Sequence, residues 1–173
     1  GKCNERYFLN NSAAGLEPYV TTKQEKIKWI SGVPRYLVAA IQGIMDQPTW
    51  NVKMEWDGGT YNGPLSLISV GNGQRTGGVF FMTPHADPFD GKLTFVRAYR
   101  PTRLSMFQVL PKAMKPGEGN MVEEEDIFEI HCTRLKFTLD KPSPAHTDGE
   151  LFETWISDFD YRIFPSTVPM LVP

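Results

Sequence analysis

One stretch of the chain alternates strictly between apolar and polar residues. Val52, Met54 and Trp56 are separated by Lys53 and Glu55. This period of two predicts a strand with one face buried and the other in water. The residues that follow, Asp-Gly-Gly-Thr at 57–60, favour a tight hairpin turn, because aspartate and glycine tolerate the positive φ angles that such turns need.

A helical period precedes this strand, over residues 23–45. Its apolar positions recur every three to four residues and are Ile27, Ile30, Tyr36, Leu37, Ala40, Ile41 and Ile44. Gly32 and Pro34 interrupt the period, and proline suits the first turn of a helix, so two consecutive helices are expected. Upstream, the run Tyr-Phe-Leu at 7–9 predicts a strand that ends at a turn near Gly15.

Strand-like segments dominate the rest of the chain. They lie roughly at 64–70, 78–83, 93–100, 126–139 and 150–164, with one short helix at 103–110. Residues 112–126 are polar and rich in glycine and acids, which is typical of a mobile loop. The pattern predicts a mainly β (α+β) fold, a β-sandwich or open barrel with a helical pair near the N-terminus.

Composition and charge narrow the function classes. The 173 residues suit one domain, and the 18 basic and 20 acidic side chains give a net charge of -2. That balance excludes a strongly basic nucleic-acid binder. Two cysteines in no metal-like spacing indicate a reducing cytosol. No apolar run is long enough for a membrane span and no signal peptide opens the chain, although its abrupt start suggests that a preceding part of a larger protein is absent.

A glycine-rich segment at 71–78, Gly-Asn-Gly-Gln-Arg-Thr-Gly-Gly, invites comparison with nucleotide-binding loops. Its third glycine comes one residue late for G-x-G-x-x-G, and a strand-like run follows where a dinucleotide site needs a helix. A Walker loop is excluded as well, because no Gly-Lys-Ser/Thr is present. The segment is therefore interpreted as a connection that allows close backbone approach.

Two Asp-Gly turns could belong to a metal or catalytic site or could be ordinary hairpin turns. Asp87 and Asp90 lie three apart in a turn before Gly91, and their oxygens are the hard ligands that Mg²⁺ accepts. His-Thr-Asp-Gly-Glu at 146–150 could hold a carboxylate that accepts a proton from a substrate hydroxyl. Taken singly, each is more often a turn that opens a strand. His146, His85 and His131 have no Cys or His at ligand spacing and are interpreted as ordinary histidines, His146 as a loop residue.

The order and spacing of these motifs resemble one family. SVGNG…TGG is followed by P-x-A-x-x-x-D-G-x-L, then by H-x-DGE, and finally by a strand over Asp160–Ile163 before Pro165. This arrangement is similar to diacylglycerol kinases, sphingosine kinases and bacterial YegS-like lipid kinases. Residues 11–17, Asn-Ser-Ala-Ala-Gly-Leu-Glu, resemble the strand that carries the family's G-F-D-A-like motif.

The resemblance covers nearly the whole chain but only the C-terminal half of such kinases. It implies that residues 1–173 form a single C-terminal β-rich domain, like that of the NAD kinase/diacylglycerol kinase-like fold. The N-terminal α/β domain with its G-G-D-G-T nucleotide loop is absent, since the nearest string, Asp-Gly-Gly-Thr at 57–60, lies between two strands.

The resemblance also implies roles for individual residues. Glu150 matches the family's catalytic carboxylate, the base for the lipid hydroxyl, and Asp148 and Gly149 match the cofactor-binding turn at the phosphates.

The other matched positions concern metal and substrate. Asp87, Asp90 and Lys92 match a Mg²⁺ site, with Lys92 contributing its carbonyl. Glu17 stands where relatives often have Asp near the lipid headgroup, so it is the implied substrate residue.

The implied activity is transfer of the γ-phosphate of ATP, with Mg²⁺, to the hydroxyl of a lipid alcohol such as diacylglycerol or a sphingoid base. We expect the isolated chain to be inactive, and the protein to be cytoplasmic with transient, peripheral contact at the membrane surface. No nucleic-acid partner is expected, and the sequence is compatible with a homodimer. Two alternatives remain: a lipid-binding module without chemistry, and part of an NAD kinase-like enzyme with a soluble substrate. An apolar interior would favour lipid, and a polar cleft would favour NAD.

Overall fold

Two antiparallel six-stranded sheets pack face to face, and helices cover the outer face of the second sheet. The computed structural model describes residues 1–165. The first sheet has the spatial order β2 (Arg6–Tyr7), β1 (Lys2–Cys3), β12 (Ile156–Arg162), β9 (Arg134–Ser143), β4 (Trp50–Trp56) and β5 (Gly59–Leu65). The second has the order β11 (Glu150–Leu151), β10 (Ala145–Thr147), β3 (Asn11–Gly15), β6 (Leu67–Gly71), β7 (Leu93–Ala98) and β8 (Ile127–Cys132). The helices are α1 (Leu16–Lys26), α2 (Gly32–Asp46), α3 (Arg103–Val109) and two single-turn 3-10 helices, Lys112–Met114 and Met121–Glu123. The predicted sandwich is confirmed.

The alternating strand lies where its pattern requires. In β4, Val52 and Met54 are buried, whereas Lys53 and Glu55 face water. Because Trp56 pairs with Gly59 of β5, only two residues form the hairpin turn. The period of two predicted the alternation correctly, and the residues Asp-Gly-Gly-Thr predicted the turn.

The main core fills the space between the two sheets. It includes three aromatic rings of the first sheet that lie nearly parallel, those of Phe137, Phe159 and Tyr161. On the opposite sheet, Ala14 belongs to the same core, and the hydroxyl of Ser12 lies 3.0 Å from that of Tyr161. Alternation along β3 therefore turns Asn11, Ala13 and Gly15 towards the helices.

The helical layer begins earlier than the apolar spacing predicts. Pro34 lies in the first turn of α2 as expected, but α1 starts at Leu16 rather than near residue 23. Gly15, with φ 88°, ends the strand there, and a Cβ at this position would approach the carbonyl oxygen of Ser66 to 2.7 Å. Glu17 accordingly lies in the first turn of a helix and not on the strand that the resemblance implied.

Four of the predicted strand segments are wrong. In three of them the chain passes from one sheet to the other, and in the fourth it lies outside both sheets. Segment 64–70 divides at Ser66 between β5 and β6, and segment 126–139 divides at Thr133 between β8 and β9. Segment 150–164 forms β11 and β12, again in different sheets. Segment 78–83 forms no strand, only a bridge between Thr76 and Phe80, because its apolar residues pack beneath the helices. Residues 112–126, predicted as a loop, contain the two 3-10 helices.

Candidate active site

The sharp turn from β3 into α1 positions the first candidate residue. Gly15 permits the turn, its N–H donates to the Ser143 hydroxyl at 2.8 Å, and the next N–H, of Leu16, donates to the Ser66 carbonyl at 2.9 Å. Glu17 follows in the first helical turn, where the helix dipole favours a carboxylate. Its side chain is only 4% exposed.

The segment His-Thr-Asp-Gly-Glu at 146–150 forms a two-residue hairpin between β10 and β11. Asp148 and Gly149 have φ angles of 49° and 87°, as a type I′ turn requires. The Asp148 carboxylate reaches across to the start of β3 and accepts three backbone N–H groups: Leu9 at 2.7 Å, Asn10 at 2.9 Å and Asn11 at 2.9 Å. Asp148 thus ties the turn to the strand that leads to Glu17.

His146 is not a loop residue, so that interpretation was wrong. It lies in β10 opposite Ala13, which turns its ring to the helix side of the sheet, and it is 2% exposed. Its Nε2 lies 3.0 Å from Oε1 of Glu17, and Gly149 donates its N–H to Nδ1 at 3.4 Å. Since Nδ1 accepts, the hydrogen-bond pattern assigns the proton to Nε2, which donates to Glu17.

Glu17 retains one unpaired oxygen. Within residues 1–165, its Oε2 is buried and has no hydrogen-bond partner. The amide of Asn11 lies 3.5 Å from Oε1 and makes its shorter bond, 2.7 Å, to the hydroxyl of Thr76. A buried acceptor without a donor is costly, which marks this oxygen as a place for a ligand's donor group.

The glycine-rich segment, residues 71–78, packs against the residue that leads into β3. Asn72 and Gly73 donate their N–H groups to the carbonyl of Asn10 at 2.8 and 3.1 Å, and the Asn10 amide donates to the carbonyl of Arg75 at 2.8 Å. This is the close backbone approach predicted from the sequence, and it brings Thr76 beside Asn11.

These elements surround a cleft of about 600 Å³, called the polar cleft because polar and glycine residues predominate in its lining, although Val33, Tyr36, Val79 and Phe80 form an apolar part of its wall. Its polar and glycine lining comprises Asn10, Asn11, Glu17, Thr21, Gln24, Gly32, Thr76, Gly77, His146, Asp148 and Gly149. The sequence motifs at 11–17, 71–78 and 146–150 therefore converge on one site.

A second, apolar cavity of about 80 Å³ lies between the helices and the second sheet. Three residues, Glu17, Tyr36 and Phe80, line both the cleft and the cavity. Burial, together with the nearby Glu17 carboxylate, raises the pKa of the Tyr36 phenol well above its ordinary value. The phenol therefore stays protonated and remains a hydrogen-bond donor at the junction.

Glu150 lies beside the cleft without lining it. It is exposed on β11 and pairs with Thr147. Residues paired directly across two strands share a face, so the Glu150 side chain lies on the face opposite to that of His146. It is open to whatever approaches this edge of the sheet.

The predicted metal residues form a separate, exposed turn before β7. Oδ1 of Asp87 accepts the N–H of Phe89 at 2.9 Å, and Oδ1 of Asp90 accepts that of Lys92 at 2.8 Å. Asp87, Asp90 and Lys92 do not line the polar cleft. Over residues 1–165, no group of three or more His, Cys, Asp or Glu side chains is arranged to hold a metal. Carboxylate and carbonyl oxygens of this kind are the ligands that Mg²⁺ accepts.

Sequence reasoning missed Asn11, Thr76 and Tyr36 as site residues. Nothing in their local pattern distinguishes them, because their roles arise from contacts between distant segments; 65 residues separate Asn11 from Thr76. For His146, the one local signal was its place in a short strand, β10, where successive side chains point to opposite faces of the sheet.

Comparisons with known proteins agree with this geometry. The YegS C-terminal NAD kinase beta sandwich-like domain matches residues 10–172. A diacylglycerol kinase of Staphylococcus carnosus is 22% identical over 87% of this chain and 48% of its own length. A probable lipid kinase YegS-like of Shewanella frigidimarina is 22% identical over 99% and 54%.

Among solved structures, a putative diacylglycerol kinase from Bacillus anthracis superposes with a TM-score of 0.67 at 23% identity, over 95% of this chain and 52% of that one. The chain thus spans about half the length of the relatives it matches. No helix within residues 1–165 is long and apolar enough to cross a bilayer. Because the family match extends over nearly every residue, the chain belongs to the family of YegS C-terminal NAD kinase beta sandwich-like domains.

Proposed function

We propose that this chain is the lipid-binding half of an ATP-dependent lipid kinase that transfers the γ-phosphate to a lipid hydroxyl. One observation carries the proposal: a polar cleft and an apolar cavity lie side by side and share Glu17, Tyr36 and Phe80 in their linings. A substrate that fits both has a polar head with donor groups and an apolar tail. The names of the relatives, diacylglycerol kinase and lipid kinase, support the same class.

The apolar cavity must widen to admit an acyl chain. Its 80 Å³ is smaller than the roughly 150 Å³ cavity that accepts benzene in an engineered protein. Met82, Met106 and Met121 line it, and methionine side chains adapt to irregular ligands because they are unbranched and flexible. We propose that these side chains move aside when the tail enters.

Binding of the tail can be tested with residues 1–173 alone. Ala98→Val narrows the cavity from β7, where a β-branched residue suits the strand. We expect weaker binding of a fluorescent diacylglycerol and a melting temperature that does not fall. Unchanged binding in Ala98→Val would place the tail elsewhere.

Within the whole protein, we propose Glu150 as the base that accepts the hydroxyl proton, with Asp148 and Gly149 shaping the turn at the phosphates. In-line transfer requires the nucleotide, the hydroxyl and the base to meet. Glu150 faces away from the cleft but is exposed at the sheet edge beside it, so the proposal requires the lipid hydroxyl to project to that edge, where a nucleotide held by another part of the protein can reach it. The isolated chain should therefore show no ATP-dependent turnover, and robust turnover would mean that the nucleotide site lies within it.

We propose Asp87, Asp90 and the Lys92 carbonyl as the holders of Mg²⁺. Bound there, the metal would add charge neutralisation and fix the turn, while ATP carries its own Mg²⁺. Mg²⁺ should then raise the melting temperature of wild type but not of Asp90→Ala. An equal rise in both would count against this site.

The test of function uses the full-length protein, labelled ATP and a panel of lipid alcohols. Glu150→Gln should lower kcat by about 10² to 10⁴, the usual cost of losing a general base, with stability within about 0.5 kcal/mol. Glu153→Gln, an exposed carboxylate three residues on, is the matched control and should be nearly silent. Retention of more than about a tenth of wild-type kcat in Glu150→Gln would rule out the base.

A soluble substrate is the second candidate, because the cleft itself is large and polar. NAD belongs in the same assay: phosphorylation of NAD and of no lipid would favour the NAD kinase-like alternative. Lipid binding without any phosphorylation would favour a binding module. For the lipid kinase we propose a cytoplasmic location with peripheral membrane contact, since its substrate resides in the bilayer.

A further inference from the structure

The loop between α1 and α2, residues 27–31, presents a tryptophan to solvent. Trp29 is 76% exposed, and in the part of the chain that the structure describes no large apolar side chain is more exposed. The loop is nevertheless anchored: Ile27 is buried, and the carbonyl of Gln24 accepts both the Ile27 N–H at 3.1 Å and Nε of Arg35 at 2.8 Å. The fold itself therefore holds Trp29 outward.

Further apolar side chains extend this surface along the helical layer. On α2, Val33, Ile41 and Met45 are 41%, 47% and 51% exposed. Ile41 and Met45, four residues apart, lie on successive turns of one side, and Val33 lies about two turns before Ile41. Leu104 of α3 is 68% exposed, and Nε of its neighbour Arg103 donates to the Met45 carbonyl at 2.8 Å. By contrast, the outer face of β4 is polar.

The charge around Trp29 differs from that of the chain as a whole. Residues 23–35 contain four basic side chains and one acidic one. Lys23 pairs with Asp46 of α2, which leaves Lys26, Lys28 and Arg35 against Glu25, whereas the full chain has a net charge of -2. Lys26 and Lys28, both exposed, flank the tryptophan. Tryptophan prefers the boundary between water and lipid, and nearby lysines bind anionic headgroups.

The loop also borders the candidate site. Gly32 and Val33 line the polar cleft, which shares Glu17 with the adjacent apolar cavity. We propose that the α1–α2 loop and the exposed side of α2 dock this domain on an anionic membrane surface, with Trp29 entering the headgroup region. Docked in this way, the mouth of the cleft faces the bilayer. The inference rests on the proposed function only in that a lipid substrate would come from that bilayer.

The experiment measures binding of residues 1–173 to vesicles by co-sedimentation. One set contains phosphatidylcholine with phosphatidylglycerol and the other phosphatidylcholine alone; neither contains a lipid alcohol or ATP. We expect binding to the anionic set, weakened by salt, and little binding to the neutral one. Tryptophan fluorescence should shift to the blue on anionic vesicles in wild type and much less in Trp29→Ala.

Matched variants distinguish binding through the loop from nonspecific adsorption of exposed aromatic side chains. Trp29→Ala should weaken binding about tenfold or more, whereas Tyr7→Ala, which removes an aromatic side chain that is 70% exposed on a sheet edge, should not. The double change Lys26→Glu and Lys28→Glu should weaken binding by roughly twenty-five-fold or more, at about fivefold per basic residue.

The charge control reverses Lys53 and Lys136, exposed residues on the outer face of the first sheet. It makes the same change in net charge and should retain most of the binding. Melting curves confirm folding, since exposed substitutions usually alter stability by less than about 0.5 kcal/mol.

Two results would overturn the proposal. The first is that wild type binds neither vesicle set, and the second is that Trp29→Ala binds the anionic set as tightly as wild type. If sedimentation velocity shows a wild-type dimer that Trp29→Ala dissociates, and vesicles are not bound, the surface joins two copies instead. Because the vesicles lack substrate, failure of the kinase proposal would leave this result unaffected, and the reverse also holds.

Discussion

Asp148 is expected to stabilise the site by holding the backbone of residues 9–11 in place. Its carboxylate accepts three N–H groups, from Leu9, Asn10 and Asn11, at 2.7 to 2.9 Å. A hydrogen bond to a charged group contributes about 1.5–3 kcal/mol when shielded. Because Asp148 is exposed, about 1 kcal/mol for each bond is the better figure. Losing all three should cost about 3 kcal/mol.

Two substitutions distinguish the bonds from the backbone conformation. Asp148→Gly removes every bond but accepts the φ of 49° without strain, so it should lower the free energy of unfolding by about 3 kcal/mol. Asp148→Asn retains one oxygen, which can serve Asn10 and Asn11 as Oδ1 does, and asparagine tolerates positive φ. It should cost only about 1 kcal/mol.

The assay is urea unfolding of residues 1–173, followed by circular dichroism with an unchanged m-value. Asp126→Gly, at another exposed aspartate in a turn, controls for glycine entropy and should cost about 0.5–1 kcal/mol. If the free energy of unfolding of Asp148→Gly fell by no more than about 0.5 kcal/mol beyond that of Asp126→Gly, the three hydrogen bonds of Asp148 would not stabilise the fold. Faster hydrogen exchange at the amides of Asn10 and Asn11 should accompany the loss.

Three further predictions concern the scaffold. The Arg97 guanidinium lies between the rings of Tyr61 and Phe128, 3.8 and 4.0 Å from their centroids; Arg97→Lys loses the planar stacking and should destabilise by about 1–2 kcal/mol in urea, and a change below 0.5 kcal/mol would contradict this. Burial, together with the nearby charge of an aspartate, raises the pKa of the Cys132 thiol to about 12, so labelling of its peptide at pH 8 should be far slower in native than in urea-unfolded protein; equal rates would refute the burial. A hydrogen bond from a backbone N–H lowers the pKa of Asp140. Its contribution to the free energy of unfolding is therefore complete above the unfolded-state pKa near 3.8 and is lost as pH falls through the lower folded-state pKa. The difference in stability between wild type and Asp140→Asn should shrink below about pH 4, and a difference that does not change with pH would contradict this.

The sequence pattern predicted those parts of the fold that depend on neighbouring residues alone. Strand β4 has one buried and one wet face, so its period of two survived into the structure. The turn at Asp148 and Gly149 likewise follows from two residues that tolerate positive φ. Features of this kind need no knowledge of distant partners.

The misplaced elements depend on contacts that the local sequence does not contain. Segment 78–83 is apolar, but its residues are buried beneath helices and not in a sheet, and periodicity alone cannot distinguish those two environments. His146 was misread because its partner, Glu17, lies 129 residues away. Motif order singled out three segments that line the same cleft, while only the folded chain revealed which side chains meet there.

Glu17 poses the sharpest test of whether this site is built for binding. Its Oε2 is buried and has no partner within residues 1–165, so the carboxylate weakens the fold unless a ligand supplies a donor. Glu17→Gln keeps the shape and can keep an oxygen facing Nε2 of His146, while it removes the buried charge.

We therefore expect Glu17→Gln to leave the free energy of unfolding unchanged or raise it by about 1 kcal/mol, as substitutions at functional residues often do. Binding of a lipid alcohol to the same variant should weaken. Glu17→Ala is the control, because it leaves a cavity and an unpaired His146 and should cost about 2–4 kcal/mol. If Glu17→Gln were destabilised by more than about 1 kcal/mol in urea, the carboxylate would be serving the fold, and the unpaired oxygen would not mark a ligand position.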